Sequence, residues 1–330
     1  MNKRIALFAL GGTISMLVDP DTGAAVPKLP GGDLVSKVPG IERIAAVDVF
    51  DVALVGGSQV TPELVFQLKN RVEAALKPPS DYDGAVITQG TDTVEEASYM
   101  MDLLLRTEKP VVHTAAMRNN SETGADGLRN IASAVRVAAS DEAYGKGVLV
   151  VANDEVYSAA DVTKLHTLNN ATFKAPGRGP LGYVLHEKGK VVFFHACLIR
   201  QKIDTDKFAL GVPIVKFGFG MEPDLLWSAL NAGVPGIVLE GAGAGNFPES
   251  VEQAIEAAVV RGVPVVLTSR CPEGFISDIY GYPGAGKKLT SRGAILGQGL
   301  SSVKARVKLM LALGYTRNVA TIRSLFEYLY

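Results

Sequence analysis

The sequence predicts an α/β protein: a mostly parallel sheet flanked by helices in a large N-terminal domain, followed by a smaller C-terminal α/β domain. Three observations carry this. Apolar runs rich in Val and Ile alternate with longer stretches whose apolar residues recur at helical spacing, the mark of parallel strands joined by crossover helices. The 330 residues are 47% hydrophobic, enough for one large core and a second, smaller one. The alternation breaks once, in a charged and poorly patterned stretch, and then resumes. The expected division is an N-terminal domain over residues 1–197, a linker over 198–212 and a smaller domain over 213–330.

In chain order, residues 3–10, 47–54, 84–88, 111–114 and 148–152 read as strands of the first sheet. Between them, Thr61-Pro62-Glu63 supplies an N-cap and a proline at the first helical position, and Leu64, Leu68, Val72 and Ala75 mark the expected buried face. Residues 94–106 form a second helix, and 126–140 a third with Ile131, Ala134, Val135 and Ala138 on one face. Residues 183–186 and 191–194 flank Glu187-Lys188-Gly189-Lys190 as the two strands of a hairpin would. After the linker, strands are expected at 213–217, 236–240 and 264–268, helices at 223–232 and 248–261, and two further helices at the end. There is no internal repeat and no low-complexity segment.

Lys and Arg total 33 against 34 Asp and Glu, so the net charge of -1 gives no electrostatic reason to expect nucleic acid or an acidic membrane. A small, roughly neutral partner fits better. No apolar segment approaches the roughly 20 residues of a membrane helix. The apolar run after Lys3-Arg4 is too short for a signal sequence and no small-residue cleavage site follows, which makes the cytoplasm the expected compartment. Cys197 and Cys271 lie far apart, neither has a second Cys at metal spacing, and both read as reduced thiols.

Two turns share a layout in which an apolar run stops at glycine and threonine follows: Gly11-Gly12-Thr13-Ile14 and Gln89-Gly90-Thr91-Asp92. Ligands of open parallel sheets bind beyond the carboxyl ends of the strands, so Thr13, Thr91 and Asp92 converge on one crevice if their strands are near neighbours. The alternative is that the threonines cap helices. A threonine hydroxyl is a weak nucleophile and needs a base, yet His113, His166, His186 and His195 show no Ser/His/Asp arrangement. Lys164, in Asp161-Val162-Thr163-Lys164, is the remaining candidate: partly desolvated at the same sheet edge, its pKa would fall toward neutrality and it would accept the threonine proton. Taken alone, it reads as a surface charge.

Two glycine-rich stretches imitate nucleotide sites. Gly241-Ala242-Gly243-Ala244-Gly245-Asn246 follows a strand, but Asn246 replaces the third glycine of a dinucleotide fingerprint and no acidic residue ends the next strand. Gly281-Tyr282-Pro283-Gly284-Ala285-Gly286-Lys287-Lys288 nearly spells a phosphate loop, but Lys288 stands where Ser or Thr must hold magnesium, so it reads as a flexible glycine loop.

Eight short motifs occur in order: Gly11-Gly12-Thr13-Ile14, Gly57-Ser58-Gln59, Gly90-Thr91-Asp92-Thr93-Val94-Glu95-Glu96, Ala116-Met117-Arg118, Asp126-Gly127, Asp161-Val162-Thr163-Lys164, Ala171-Thr172-Phe173-Lys174 and Gly179-Pro180-Leu181-Gly182. Together they resemble the signatures of bacterial-type L-asparaginases, the asparaginase/glutaminase family with two catalytic threonines, from Ile5 to about Gly314. The resemblance implies hydrolysis of L-asparagine to L-aspartate and ammonia through an acyl-enzyme, with the N-terminal domain catalytic and no metal or cofactor. It implies Thr13 as nucleophile, and Thr91 and Lys164 with Asp92 as the second catalytic group. Gly57, Ser58, Gln59, Gly90 and Asp92 would hold the substrate, and Ala116 would line the pocket. It also implies a homo-oligomer, dimer or tetramer, in which Asn246 reaches a neighbouring subunit's site. Backbone N–H groups at the Gly12 and Gly90 turns would serve as oxyanion donors, each worth about 2.7–4 kcal/mol.

The chain departs from that pattern in three places. The stretch Asp21 to Lys28 lacks the tyrosine that many members carry after the first threonine, with Tyr280 and Tyr282 as possible substitutes. Gln89 replaces the usual histidine before Gly90, as a changed pocket wall. No glutamate stands near Tyr280-Gly281, where many relatives present one to the substrate's amino group. Two alternatives follow: an amidase preferring glutamine or another small amide, and a non-catalytic amino-acid-binding regulator.

Overall fold

The computed structural model describes residues 3–196 and 201–327. The chain divides into two compact units, Met1–Arg200 and Gln201–Tyr330. Cys197 and the start of the expected linker lie outside the described residues.

The first unit is built on an eight-stranded sheet. From one edge its order is Lys190–Phe193, Gly182–Leu185, Glu155–Ser158, Val148–Ala152, Val111–Thr114, Gly84–Thr88, Arg4–Gly11 and Ala46–Val55. The last five run parallel, and the other three are added antiparallel. Parallel strands buried on both faces read as nearly continuous apolar runs, and residues 84–88 and 111–114 are buried at every position, with Thr88, His113 and Thr114 the polar exceptions. Register aligns Leu7, Val86, Val112 and Leu149 in one row across the sheet. That row packs in one cluster with Ile131, Ala134, Val135 and Ala138 of the helix Gly127–Ala138, the face its spacing predicts. Val150 and Ala152 alternate to another cluster with Val94 at the start of the helix Val94–Leu104.

Three local readings are corrected. The helix Pro62–Leu76 opens at the predicted cap, where Thr61 Oγ1 accepts from Leu64 N, but it buries Val65, Leu68, Val72 and Leu76 instead of Leu64 and Ala75. The helix predicted to reach Arg106 ends at Leu104 because Leu105 is already extended. Glu155–Ser158, which the sequence pattern does not mark, is a strand: Asn153 and Asp154 both take positive φ, 51° and 63°, and form a two-residue hairpin turn.

The second unit holds a parallel sheet in the order Ile214–Lys216, Ile237–Gly241, Val265–Ser269 and Ile295–Leu296. Its helices are Asp224–Asn231, Val251–Val260, Gly286–Ser291, Ser302–Tyr315 and Val319–Glu327. Of the stretch read as a flexible glycine loop, the middle is packed, while Gly281 to Pro283 are exposed. Gly284, Ala285 and Gly286 are buried, a Cβ on Gly284 or Gly286 would strike the backbone of Phe247 or Ser277, and Gly284 N donates to Glu252 Oε1 at 2.8 Å. A carboxylate accepting from that turn opposes a phosphate there. Among the described residues no helix is long and apolar enough to cross a membrane.

Candidate active site

The site follows from strand order. Arg4–Gly11 lies between Ala46–Val55 and Gly84–Thr88 and runs parallel to both, so the segments leaving their carboxyl ends emerge side by side. These are the turns carrying Thr13, Gly57-Ser58-Gln59 and Thr91-Asp92. The chain passes from one side of Arg4–Gly11 to the other there, a switch point of the kind where open sheets place ligands.

Three glycines set the spacing. Gly12 has φ +80°, and a Cβ on it would strike the backbone of Gln89 and Gly90; a Cβ on Gly90 would strike Gly57, and one on Gly57 would lie 3.1 Å from Asp92 N and Gly90 C. The three turns therefore stack backbone on backbone, with no side chain between them. Thr93 Oγ1 donates to Gly57 O at 2.8 Å and ties two of them together. Gly12 N donates to Val55 O at 2.8 Å, so this N–H of the first turn is spent on the scaffold.

Lys164 meets the second threonine. Its Nζ donates to Thr91 Oγ1 at 2.9 Å and to Asp92 Oδ1 at 2.8 Å. Thr91 is buried, the Lys164 side chain is 18% exposed and that of Asp92 56%, which leaves the carboxylate facing out of a shielded pair. A hydroxyl oxygen that accepts from an ammonium keeps its own proton free for another acceptor. The helix Val94–Leu104 begins directly after the turn Thr91–Thr93, so its N-terminal field favours negative charge at Asp92.

Thr13 opens the short turn Thr13–Ser15 and is half-buried. Its surroundings are anchored by Asn120, whose Nδ2 donates to Ile14 O at 2.7 Å. Asn120 was not among the expected residues; it lies in a polar loop with no motif of its own. The following hairpin, Met16–Val18 with Ala25–Pro27, is pinned at its tip by Asp19, which accepts from Thr22 N and pairs with Lys28 at 2.5 Å. Those interactions hold the Asp19 carboxyl down to about 2.

Gly57 is buried, while Ser58 and Gln59 are exposed on the turn Gly57–Gln59; Gln59 Oε1 folds back to accept from Gly56 N at 2.9 Å. Ala116 is buried, and it would touch a Cβ on Gly127 at 3.5 Å, on the side where Ile14 also packs. Gln89 is fully buried and accepts from His113 Nδ1 at 3.1 Å, so its amide packs beneath the turn and is not the pocket wall expected. Burial pushes His113 down to about 3, leaving the ring neutral. Asn246 belongs to the second unit, where its backbone closes the Ala242–Asn246 bridge and its Oδ1 is buried with no hydrogen-bond partner among the described residues. Tyr280 and Tyr282 are also in that unit, exposed, with ring centroids 6.0 Å apart.

The profile of the asparaginase N-terminal domain matches residues 4–198, and that of the glutaminase/asparaginase C-terminal domain matches 211–326. An L-asparaginase of Bacillus licheniformis is 34% identical over 313 residues, 95% of this chain and 96% of its own. L-asparaginase 2 of Escherichia coli (strain K12) is 35% identical over 332 residues, covering 98% of this chain and 92% of that protein. A glutaminase-asparaginase of Pseudomonas fluorescens biotype A is 32% identical over 339 residues, 98% of this chain and 89% of its own. A solved structure of a probable cytoplasmic L-asparaginase from Campylobacter jejuni is similar at a TM-score of 0.87 and 30% identity, over 98% of this chain and 99% of that one.

Proposed function

This chain belongs to the asparaginase family, and on that premise we propose that it hydrolyses L-asparagine to L-aspartate and ammonia through an acyl-enzyme on Thr13. The observation that carries the reading is the Lys164 ammonium seated between Thr91 and Asp92 beside the stacked glycine turns. Thr13 Oγ attacks the side-chain carbonyl, its proton leaves with the amide nitrogen as ammonia, and an aspartyl ester remains. Water then adds to that ester, with Thr91 and Lys164 handling its proton, and aspartate departs as Thr13 regains its hydroxyl. Ser58, Gln59 and Asp92 are assigned to the substrate's amino and carboxylate groups, and Ala116 to the floor beside Ile14. Homo-oligomerisation, Asn246 acting on a neighbour's site and a cytoplasmic location belong to the same reading.

Ammonia release from L-asparagine is the direct assay, and activity surviving in Thr13→Ala would sink the nucleophile assignment. A second reading, preference for glutamine, is favoured by relatives named glutaminase-asparaginase and by the absence of a glutamate near Tyr280. The ratio of kcat/KM for asparagine to that for glutamine decides between them. Tight aspartate binding with no ammonia from either amide would instead mark a binding protein.

A further inference from the structure

Resting on the assignment of Lys164 to that reaction, we infer that Thr163 and Glu95 form a positioning clasp that holds the Lys164 ammonium over Thr91 and Asp92. Lys164 lies on a strand of two residues, Thr163–Lys164, whose ladder is a two-residue pairing with Phe173–Lys174. A ladder that short is weak by itself. The chain beyond it, residues 165–169, is exposed. A lysine on such a support must give up the rotamer freedom of its long side chain to point one way, so something more has to fix its base.

The Thr163 hydroxyl supplies it by donating to Glu95 Oε2 at 2.6 Å. Glu95 is the second residue of the helix Val94–Leu104, which starts directly after Thr91–Thr93. Adjacent residues of one strand thus grip the same helix start: Thr163 holds Glu95, and Lys164 reaches Thr91 and Asp92. Successive side chains of a strand diverge, so the two contacts straddle the helix end and resist both sliding and rotation. Glu95 sits in the first helical turn, where negative charge is favoured, and a charged acceptor strengthens the hydroxyl bond. Upstream, Val162 is buried in one cluster with Val94 and Phe173, and Asp161 pairs with Arg178 at 2.8 Å, so the approach to Thr163 is fixed as well. Thr163 and Glu95 touch no reacting atom in this scheme; they act through Lys164.

The test compares Thr163→Val, Thr163→Ser, Glu95→Ala and the double variant Thr163→Val/Glu95→Ala in the full-length protein. The expected result is a roughly tenfold fall in kcat with KM little changed for Thr163→Val and Glu95→Ala, a double variant no worse than either, and near-parental turnover in Thr163→Ser. The pH–kcat profile should move in Thr163→Val and return in Thr163→Ser. In parallel, mapping acetic anhydride labelling should show Lys164 several-fold more reactive in Thr163→Val, with an unchanged thermal midpoint. Parental kcat, pH profile and Lys164 labelling in a folded Thr163→Val would overturn the clasp. Additive losses in the double variant would also overturn it. If the parental protein releases no ammonia from asparagine or glutamine, the functional reading fails, and the labelling comparison still decides the clasp.

Discussion

Lys164 donates to the oxygen of Thr91, so the proton that remains mobile is the threonine's own. Removing either partner should therefore cost proton transfer and leave the fold intact. Thr91→Ala and Lys164→Met are each expected to lower kcat for asparagine by about 10²–10⁴ with unchanged circular dichroism, and Thr91→Ser should retain most of the rate. Gly12→Ala should be worse than its size suggests, because its methyl group must displace the Gln89 and Gly90 backbone; a roughly 100-fold loss of kcat/KM is expected from the misplacement alone. The meeting of Thr91, Asp92 and Lys164 was legible in the sequence because strand ends and a strand-following motif place them at one edge. The contact among Gly12, Gly57 and Gly90 was not, since it depends on which strands are neighbours, and glycines leave no pattern of type or period to reveal that. Nor could the sequence tell that Gly12 N is occupied by Val55 O, which is a matter of register between strands some forty residues apart.

Strands that are buried at every position had their bounds written in the sequence: Gly84–Thr88, Val111–Thr114 and Val148–Ala152 coincide with the expected spans. Elements whose residues are half-exposed were harder. In Pro62–Leu76 the expected Leu68 and Val72 are buried, but at the two ends Val65 and Leu76 replace Leu64 and Ala75, because neighbouring apolar residues compete there and only packing chooses between them. Glu155–Ser158 escaped notice because its signal is the left-handed pair Asn153-Asp154, two residues equally at home in a loop. A β-branched residue resists that conformation, so Asn153→Val should lower stability by about 1–2 kcal/mol in urea denaturation while Asn153→Gly should not. The helix Ser302–Tyr315 carries Lys308, which is fully buried, has no hydrogen-bond partner among the described residues and lies 5.1 Å from the Phe326 ring centroid. Burial pushes this amine from 10.5 down to about 7. The unfolded chain then binds more protons between about 7 and 10.5, so stability climbs with pH across that window and lies on its lower plateau below it. Lys308→Met should raise the unfolding free energy at pH 7 and flatten its rise toward pH 10, as read from denaturant midpoints.

At the scale of the whole molecule, the proposed shared site makes a prediction that a single subunit cannot satisfy. Thr13→Ala and Asn246→Ala variants should each be impaired alone, yet unfolding and refolding them together should restore activity. In a symmetric dimer mixed one to one, about a quarter of sites would carry both intact residues. Light scattering should return a multiple of 34.8 kDa for the parental protein, and a monomer with full activity would remove the shared site. The near balance of 33 basic and 34 acidic residues suits such an assembly, since little net charge opposes the approach of a second copy. One further consequence concerns the strand Ala46–Val55, which stands at the border of its sheet and, among the described residues, pairs with Arg4–Gly11 alone. The turn Gly57–Gln59 hangs from its end. Border strands are bonded on one side only and open more readily than central ones, so the residues meant to grip the substrate ride on a border of the sheet. Mild denaturant should accordingly weaken substrate affinity while the central strands keep their amide protons, and KM should rise well before the global unfolding midpoint is reached.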